Sequence, residues 1–208
     1  MRIVFATGNK DKMFEIREIM ADVCKEADII SMKEAGIDCD IEENGTTFEE
    51  NALIKASEVF KLLKNTEYSD AVVLSDDSGL EVDCLNGEPG IYSARYMGKD
   101  TSYDIKNAEL IRRVNETKDK DRTARFVCTV AACFPDGSHK VVRGTIEGAI
   151  ALEPKGSNGF GFDPIFFVPE LGVTTAELEP YRKHEISHRG RALRMIKEEI
   201  INHENSGC

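Results

Sequence analysis

Apolar positions recur along the chain with two different spacings, and these spacings predict most of its secondary structure. Short apolar runs at residues 2–5, 71–74 and 165–168 are typical of buried strands, and residues 27–31 predict another strand. Longer segments between these runs carry apolar side chains every three or four positions, as amphipathic helices do. This alternation of strands and helices favours an α/β fold.

The segments with helical spacing predict four helices. Their approximate bounds are residues 13–23, 48–64, 103–115 and 188–203. The second helix has two overlapping capping-box registers at its start, because Thr46 and Thr47 precede Glu49 and Glu50. Either threonine is therefore a suitable N-cap.

A hairpin is the clearest local prediction. Two β-rich runs at residues 123–134 and 139–150 flank the turn sequence Pro-Asp-Gly. Residues 75–79 are also good turn material, and they separate one apolar strand from a short strand at residues 80–83. A long hairpin inside an alternating pattern indicates a mixed β-sheet with flanking helices. No repeat or linker divides the chain, so we predict a single domain over residues 1–208.

The segment ATGNKDK at residues 6–12 joins the first strand to the first helix. Backbone N–H groups at the start of a helix are well placed to bind an anion, and Thr7 and Asn9 can cap the helix or contact a phosphate. Lys10 and Lys12 fall in the first turn, where the helix dipole disfavours positive charge by about 0.3–1 kcal/mol each. Two interpretations remain open: solvated lysines whose charge neighbouring acids offset, or lysines that face a polyanionic ligand.

Acidic pairs supply possible metal ligands. Asp76 and Asp77 follow a predicted buried strand, at the position where α/β sheets place ligand sites. An Asx-turn is the alternative role for them. Glu42 and Glu43 precede a glycine and, by themselves, are typical of a solvated acidic loop. A Mg²⁺ ion held by one or two carboxylates plus phosphate oxygens would connect these acids to Lys12.

Positive charges collect around the predicted start of the last helix, where the dipole again disfavours them. They are Lys183, His184, His188, Arg189 and Arg191. Two helix starts carrying cations in an acidic protein favour a shared anionic ligand. Phe160 and Phe162 lie between glycines in the loop before them, where an aromatic ring either stacks on a base or anchors the loop in the core.

Charge and composition exclude several classes of function. A net charge of −11 argues against a surface that binds nucleic acid. No apolar run approaches the roughly 18 residues of a membrane span, and the N-terminus has no signal-peptide pattern. We therefore expect a cytoplasmic protein with no membrane partner. Scattered cysteines without a Cys-x-x-Cys pair predict free thiols rather than disulfides or a zinc site. These are Cys24, Cys39, Cys84, Cys128, Cys133 and Cys208.

Six segments, in this order, resemble those of the inosine triphosphate pyrophosphatase family. They are ATGNKDK (6–12), EENGTTFEENALIKA (42–56), SDDSGLEVD (75–83), PGIYSARY (89–96), GFGFDPIFF (159–167) and ISHRGRAL (186–193). The resemblance implies hydrolysis of deaminated purine nucleoside triphosphates (ITP, dITP and XTP) to the monophosphate and pyrophosphate. It also implies an elongated mixed α/β fold of two lobes with a substrate cleft between them, a Mg²⁺ cofactor and a homodimer.

The resemblance also implies the roles of individual residues. Asp77 becomes the catalytic base and a metal ligand with Asp76 beside it, and the second metal ligand is Glu43 or Glu42, with the alignment favouring Glu43. The triphosphate contacts are Thr7, Gly8, Asn9, Lys10, Asp11 and Lys12, of which Lys12 is the main cation. The other substrate contacts are Ser78, Phe160, Gly161, Phe162, Asp163, Lys183, His188 and Arg189.

The implied reaction is attack of water on the α-phosphorus. A carboxylate takes the proton, while Mg²⁺ and Lys12 stabilise charge on the departing pyrophosphate. Two rival functions are a pyrophosphatase for pyrimidine or modified-base triphosphates and a non-catalytic nucleotide sensor. Asp76, Asp77 and Lys12 favour an enzyme, because binding alone needs no acid pair to activate water.

Overall fold

The computed structural model describes residues 1–24, 27–118 and 121–206. No disulfide joins the five cysteines within these ranges, and Cys208 lies outside them. None of the helices in this part of the chain has the length and apolar composition that crossing a membrane requires.

Within the described ranges the chain forms seven strands and five α-helices. The strands are β1 (Arg2–Phe5), β2 (Asp28–Ser31), β3 (Val72–Val82), β4 (Thr123–Cys133), β5 (His139–Ile150), β6 (Phe166–Val168) and β7 (Val173–Thr174). The helices are α1 (Lys10–Val23), α2 (Phe48–Leu63), α3 (Tyr103–Glu116), α4 (Pro180–Ile186) and α5 (His188–Ser206). Short 3₁₀ segments lie at Asp83–Leu85, Gly90–Arg95, Asp163–Ile165 and Thr175–Glu177.

The strands form one mixed sheet in the order β2-β1-β3-β4-β5-β6-β7. Strand β1 is parallel to β2 and β3, whereas β6 is antiparallel to β5 and β7. The predicted α/β class with a mixed sheet is therefore confirmed. Strands β1 and β3 are parallel, and their pairing ends with Phe5 opposite Leu74. The segment after β1 and the second half of β3 therefore begin next to each other.

Strand β3 differs from the prediction. The sequence predicted a strand, a turn over residues 75–79 and a second short strand, but Val72–Val82 is one continuous strand of 11 residues. Asp76 and Asp77 therefore lie inside the strand rather than after it, and the Asx-turn interpretation is wrong. Local sequence preference was overridden because both buried carboxylates find cationic partners in the folded chain.

Two further elements were missed. Strand β7 has only two residues, too few for any pattern to appear. Helix α4 is also short, and it begins at a proline, which is favoured in the first helical turn. Lys183 and His184 belong to the last turn of α4, not to the start of α5. The helix dipole therefore favours their charge, and our dipole argument was wrong for these two residues.

The chain divides into two compact units. Unit 1 contains residues Met1–Asp77, Cys128–Gly144 and the chain from Arg189 onward, and unit 2 contains Ser78–Val127 and Thr145–His188. The single domain, the two lobes and the cleft between them stay predictions.

Unit 1 buries apolar side chains on both faces of its strands. Along β1, Ile3 and Phe5 belong to a core cluster with residues of α1 and α5, whereas Val4 belongs to a second cluster with Ala52 and Val59 of α2. This alternation follows from the two-residue period of a strand. Polar side chains of β3 can therefore contact α1 and α5 on one face and α2 on the other.

Unit 2 has a core of its own. Leu80 and Val82 of β3 pack there with Leu110 of α3 and with Phe162 and Phe166. Phe162 lies in the glycine-rich loop and is almost fully buried. The loop that precedes β6 is therefore attached to the core by one of its own aromatic side chains.

Candidate active site

The start of α1 is fixed by Asn9. Its side-chain Oδ1 accepts hydrogen bonds from the backbone N–H groups of Asp11, at 2.9 Å, and Lys12, at 3.1 Å. The backbone N–H of Asn9 in turn donates to Thr7 Oγ1 at 3.2 Å. Of the two roles open for Asn9, the structure shows the cap. Lys10 is exposed, so the solvated interpretation remains open for that residue.

Lys12 contacts Asp76. Its Nζ lies 3.1 Å from Asp76 Oδ2, and its side chain is 17% exposed. Neither interpretation of the lysines anticipated a carboxylate of strand β3 as the partner. The ion pair explains how a lysine is accommodated in the first turn of a helix, since the opposite charge offsets the unfavourable dipole.

Asp76 is also bound by Arg189. One guanidinium nitrogen lies 3.2 Å from Asp76 Oδ2, and another is hydrogen-bonded to Glu15 of α1. All three side chains are buried. Burial lowers the pKa of Arg189, but the carboxylates of Glu15 and Asp76 outweigh that effect, so its pKa is raised and it stays charged. The implied contact of Arg189 with a purine base remains a prediction.

Asp77 makes its direct contacts with two side chains of α2. Asn51 Nδ2 donates to Asp77 Oδ2 at 3.2 Å, and Lys55 Nζ lies 3.6 Å from Asp77 Oδ1. The same ammonium lies 3.2 Å from Glu43 Oε1. Gly45 allows this loop to pass close to α2, because a Cβ there would lie 2.7 Å from Asn51 Oδ1.

The pKa values in this group reflect burial and charge together. Burial raises the pKa of Asp77, the positive charges of Lys55 and Lys12 act against it, and the net shift is upward. Burial lowers the pKa of Lys55, but three carboxylates (Asp77, Asp76 and Glu43) outweigh it and the net shift is also upward. Unit 1 thus holds a buried carboxyl group of raised pKa next to a charged lysine.

Three residues of this group were missed from the sequence: Glu15, Asn51 and Lys55. One signal could have found two of them. Asn51 and Lys55 are four positions apart and adjoin Ala52 and Ala56 on the buried face of α2. A buried amide and a buried ammonium on one helix face need polar partners, which points to a site rather than to a packing surface.

The residues present fit a Mg²⁺ ion. Glu43 and Asp77 both contact the ammonium of Lys55, so their oxygens converge on one region. Among the described residues no three His, Cys, Asp or Glu side chains are grouped to hold an ion. Mg²⁺ typically binds one or two protein carboxylates and completes its shell with substrate phosphates and water, and Glu43 and Asp77 supply two such carboxylates. Glu42 is exposed, so the geometry favours Glu43 of the acidic pair.

Unit 2 holds a second polar group, centred on Asp163. Lys183 Nζ lies 2.6 Å from Asp163 Oδ2, and the backbone N–H of Phe160 donates to the same oxygen at 2.8 Å. The Lys183 ammonium is 5.4 Å from the centre of the Phe160 ring. On the other side of the carboxylate, Thr175 Oγ1 donates to Oδ1 at 2.8 Å.

The two loop phenylalanines have different surroundings. Phe162 is buried and meets Tyr103 edge to face at 5.4 Å, so it anchors the loop. Phe160 is half-buried beside Lys183. Gly161 between them accepts a hydrogen bond on its carbonyl from Asn107 of α3, at 3.2 Å. The anchoring role therefore belongs to Phe162, and the stacking of Phe160 on a base stays a prediction.

The remaining predicted substrate contacts of this unit are Ser78 and His188. Ser78 directly follows Asp77 in β3. The His188 ring stacks on Phe126, with 4.8 Å between ring centres and a 19° interplanar angle. The structure thus places Phe160, Asp163 and Lys183 in one group and His188 against an aromatic residue of β4.

Comparison with known proteins identifies the family. The model of the Ham1 family matches residues 3–199. The chain belongs to the Ham1 family. This confirms the family resemblance found in the sequence.

Relatives of this Ham1-family chain are similar to it over nearly their full length. A dITP/XTP pyrophosphatase of Clostridium perfringens is 45% identical over 199 residues, which are 96% of this chain and 97% of the relative. A dITP/XTP pyrophosphatase of Staphylococcus aureus is 42% identical, with 98% of each chain covered.

Solved structures agree with the fold of this Ham1-family chain. The Ham1 protein of Staphylococcus aureus superposes with a TM-score of 0.83 at 41% identity, covering 98% of this chain and all of that one. A HAM1 protein of Coxiella burnetii gives the same TM-score at 38% identity, covering 97% and 99%. The similarity therefore extends over the whole Ham1 fold rather than one motif.

Proposed function

We propose that this protein hydrolyses the deaminated purine nucleoside triphosphates ITP, dITP and XTP to the monophosphate and pyrophosphate. The observation that carries the proposal is the group in unit 1, where buried Asp77 lies beside Lys55 and Asp76 binds Lys12. An acid of raised pKa next to cations suits proton transfer from water during attack on a phosphate. The names of the relatives support the choice of substrate.

In the proposed reaction Asp77 accepts the proton of the attacking water. Its burial raises the pKa, which makes its ionised form a better base than an exposed aspartate. Lys12 and Lys55 bind phosphate oxygens and stabilise the charge that develops on the departing pyrophosphate. Asn51 holds the Asp77 carboxylate in place through its amide.

We propose Mg²⁺ as the cofactor, with Glu43 and Asp77 as its protein ligands. When bound, the ion would neutralise phosphate charge and polarise the bonds to phosphorus. Both carboxylates already converge on the Lys55 ammonium. This convergence supports the assignment of Glu43 rather than Glu42.

The purine is assigned to the group around Asp163. Lys183 is the hydrogen-bond donor of this group, and the family resemblance adds His188 and Arg189, which are not part of the group, as further donors to the base. Hypoxanthine and xanthine carry an acceptor oxygen at position 6, whereas adenine carries a donor amino group. Sites built on such pairing discriminate by roughly 10⁴–10⁵, so we expect ITP and XTP as the best substrates and ATP as the poorest purine. Guanine keeps the oxygen at position 6, so we expect GTP to fall behind ITP only because its 2-amino group lacks an acceptor or room.

The test is phosphorus NMR of the reaction with ITP and Mg²⁺, followed by kcat/KM for ITP, XTP, GTP and ATP. We expect pyrophosphate and inosine monophosphate in one step, without a diphosphate intermediate. Early release of orthophosphate would mean that a different bond is cut. Equal values of kcat/KM for ITP and ATP would exclude recognition of the purine through its position 6. Faster turnover of pyrimidine or modified-base triphosphates would favour the first rival function.

Asp77→Asn is the matched variant for this test. Because the amide cannot accept the proton, kcat should fall by at least about 10², while the folded structure is kept. Binding of ITP without turnover in the wild-type protein would instead indicate the nucleotide sensor. Turnover of Asp77→Asn within a few-fold of wild type would remove Asp77 from its role.

We also propose a homodimer located in the cytoplasm, without nucleic-acid or membrane partners. The family resemblance supports the dimer, and the net charge of −11 supports the absence of a nucleic-acid partner. Light scattering on the purified protein measures the mass directly. A mass of one 23.2 kDa chain at micromolar concentration would exclude a stable dimer.

A further inference from the structure

Thr175 lies outside every segment that carries the family resemblance, yet it contacts a residue of the proposed base site. It belongs to the 3₁₀ segment Thr175–Glu177 of unit 2 and is almost fully buried. Its hydroxyl lies 2.8 Å from Asp163 Oδ1 and 3.1 Å from the Asp163 carbonyl oxygen. The hydroxyl has a single proton to donate, and the carboxylate oxygen is the nearer of these two acceptors.

The bond from Thr175 determines how the two carboxylate oxygens are used. Oδ1 accepts the threonine hydroxyl, which leaves Oδ2 for Lys183 and for the Phe160 N–H. The terminal torsion of an aspartate is a broad one, so without a partner on Oδ1 the carboxylate can rotate. Rotation would move the oxygen that fixes the Lys183 ammonium.

The backbone of the glycine-rich loop lies close to both Asp163 and Lys183. Gly159 has a positive φ of 73°, and a Cβ on it would lie 2.2 Å from Asp163 Oδ2 and 2.9 Å from Lys183 Nζ. The loop therefore packs directly against the ion pair. Thr174 and Glu177 form a capping box that holds the segment carrying Thr175 in place.

We infer that Thr175 is a positioning residue for base recognition. Its hydroxyl sets the orientation of the Asp163 carboxylate, and the carboxylate places the Lys183 ammonium that reads the oxygen at purine position 6. This inference rests on the proposed function, which assigns Lys183 to the base. It adds a specificity residue that acts through two others and touches no part of the substrate.

Thr175→Val tests the inference, because valine keeps the volume of threonine and removes the hydroxyl. We expect the ratio of kcat/KM for ITP to that for ATP to fall about tenfold, the factor of one hydrogen bond of ordinary strength. The loss should lie in KM for ITP, with kcat within about threefold, because Lys183 is assigned to the base and not to the phosphates. Thr175→Ser keeps the hydroxyl and should restore the wild-type ratio.

Thr117→Val is a matched control in the same unit. It removes a hydroxyl that donates to the Val114 carbonyl at 2.8 Å, at the end of α3. The control should lower the melting temperature without changing the ratio between ITP and ATP. If Thr175→Val does not yield folded protein, Thr175→Ala takes its place and is compared with Thr175→Ser.

Each outcome decides one proposal. Three results would overturn the inference and leave the proposed function standing. The first is an unchanged ratio in Thr175→Val, and the second is a failure of Thr175→Ser to restore the ratio. The third is a loss in kcat alone together with a lower melting temperature. Wild-type protein that fails to release pyrophosphate from ITP would overturn the proposed function, and the inference with it.

Discussion

Asp76 and Asp77 are neighbours in sequence but occupy different environments. Successive side chains of a strand point to opposite faces, so Asp76 meets Lys12 of α1 and Arg189 of α5, whereas Asp77 meets Lys55 of α2. The two carboxylates therefore have different nearest partners, although Lys12 also acts on the pKa of Asp77 and Asp76 on that of Lys55. In the proposed reaction this difference lets Asp76 hold Lys12 while Asp77 serves as a base of raised pKa.

Lys55 should control the pH dependence of the reaction. A base works only when ionised, so kcat/KM falls as pH drops through the pKa of Asp77, which burial has raised. Lys55 acts to lower that pKa. In Lys55→Met the pKa of Asp77 rises further, so the acid limb of the profile should move to higher pH by about one unit or more.

The measurement is kcat/KM for ITP across the acid limb, with Lys61→Met as the control. Lys61 lies on the same helix but pairs with Glu58 at an exposed position. Its replacement should leave the limb where it is in the wild type. An acid limb that stays in place, or moves to lower pH, in Lys55→Met would contradict the electrostatic role of this lysine.

The acidic pair offers a second comparison of neighbours. Glu43 contacts Lys55, whereas Glu42 is exposed. Glu43→Gln should raise the Mg²⁺ concentration for half-maximal activity by about tenfold or more, and Glu42→Gln should leave it nearly unchanged. Titrating Mg²⁺ after removal of divalent ions with a chelator measures both. Equal effects of the two variants, or full activity in chelator, would refute the ligand assignment.

At the scale of elements, α2 shows how a local capping motif fixes a helix whose side chains contact Asp77. Of the two capping registers in the sequence, the structure uses Thr47 as the N-cap, with Oγ1 accepting from the Glu50 N–H at 3.1 Å. Glu50 Oε2 accepts from the N–H of Thr46 at 2.6 Å and from its hydroxyl at 2.8 Å, and these two bonds lower the pKa of Glu50. The same helix carries Asn51 and Lys55.

Thr47→Ala should therefore destabilise the protein measurably. Loss of an N-cap costs about 1 kcal/mol, which for a chain of this size corresponds to a decrease in melting temperature of about 2–4 °C. Thr47→Ser keeps the hydroxyl and should melt close to the wild type. Thermal unfolding followed by circular dichroism compares the three proteins, and identical melting of Thr47→Ala and wild type would show that Thr46 can replace the cap.

Local patterns predicted α2, α3 and the hairpin of β4 and β5 with bounds close to those observed, because amphipathic spacing and turn chemistry are local. They failed at β3, whose polar centre looks like a turn until its partners are known. Those partners come from remote positions: the bond between Glu15 and Arg189 spans 174 residues. No periodicity encodes such a pairing, so the ion pairs of Asp76 with Lys12 and Arg189 were accessible only through the structure.

At the scale of the whole molecule, the core of unit 1 depends on both ends of the described chain. Ala192, Leu193 and Ile196 of α5 pack with Ile3 and Phe5 of β1. A chain that stops at Ser187 should therefore lose cooperative unfolding and bind a hydrophobic dye such as ANS. The measurements are a thermal melt and dye fluorescence beside the full-length protein, and a sharp melt without dye binding would show that α5 is dispensable.

Unit 1 is built from three stretches that are separated in the sequence, and this has a consequence for biosynthesis. Ribosomes add about 5–20 residues per second, so on the order of ten seconds pass between emergence of β3 and emergence of α5. During that interval the apolar face of β1 and β3 that α5 will cover is exposed on the nascent chain. A translational pause before residue 189 would prolong this exposure, and a chaperone that shields apolar strands would act on the protein at that stage.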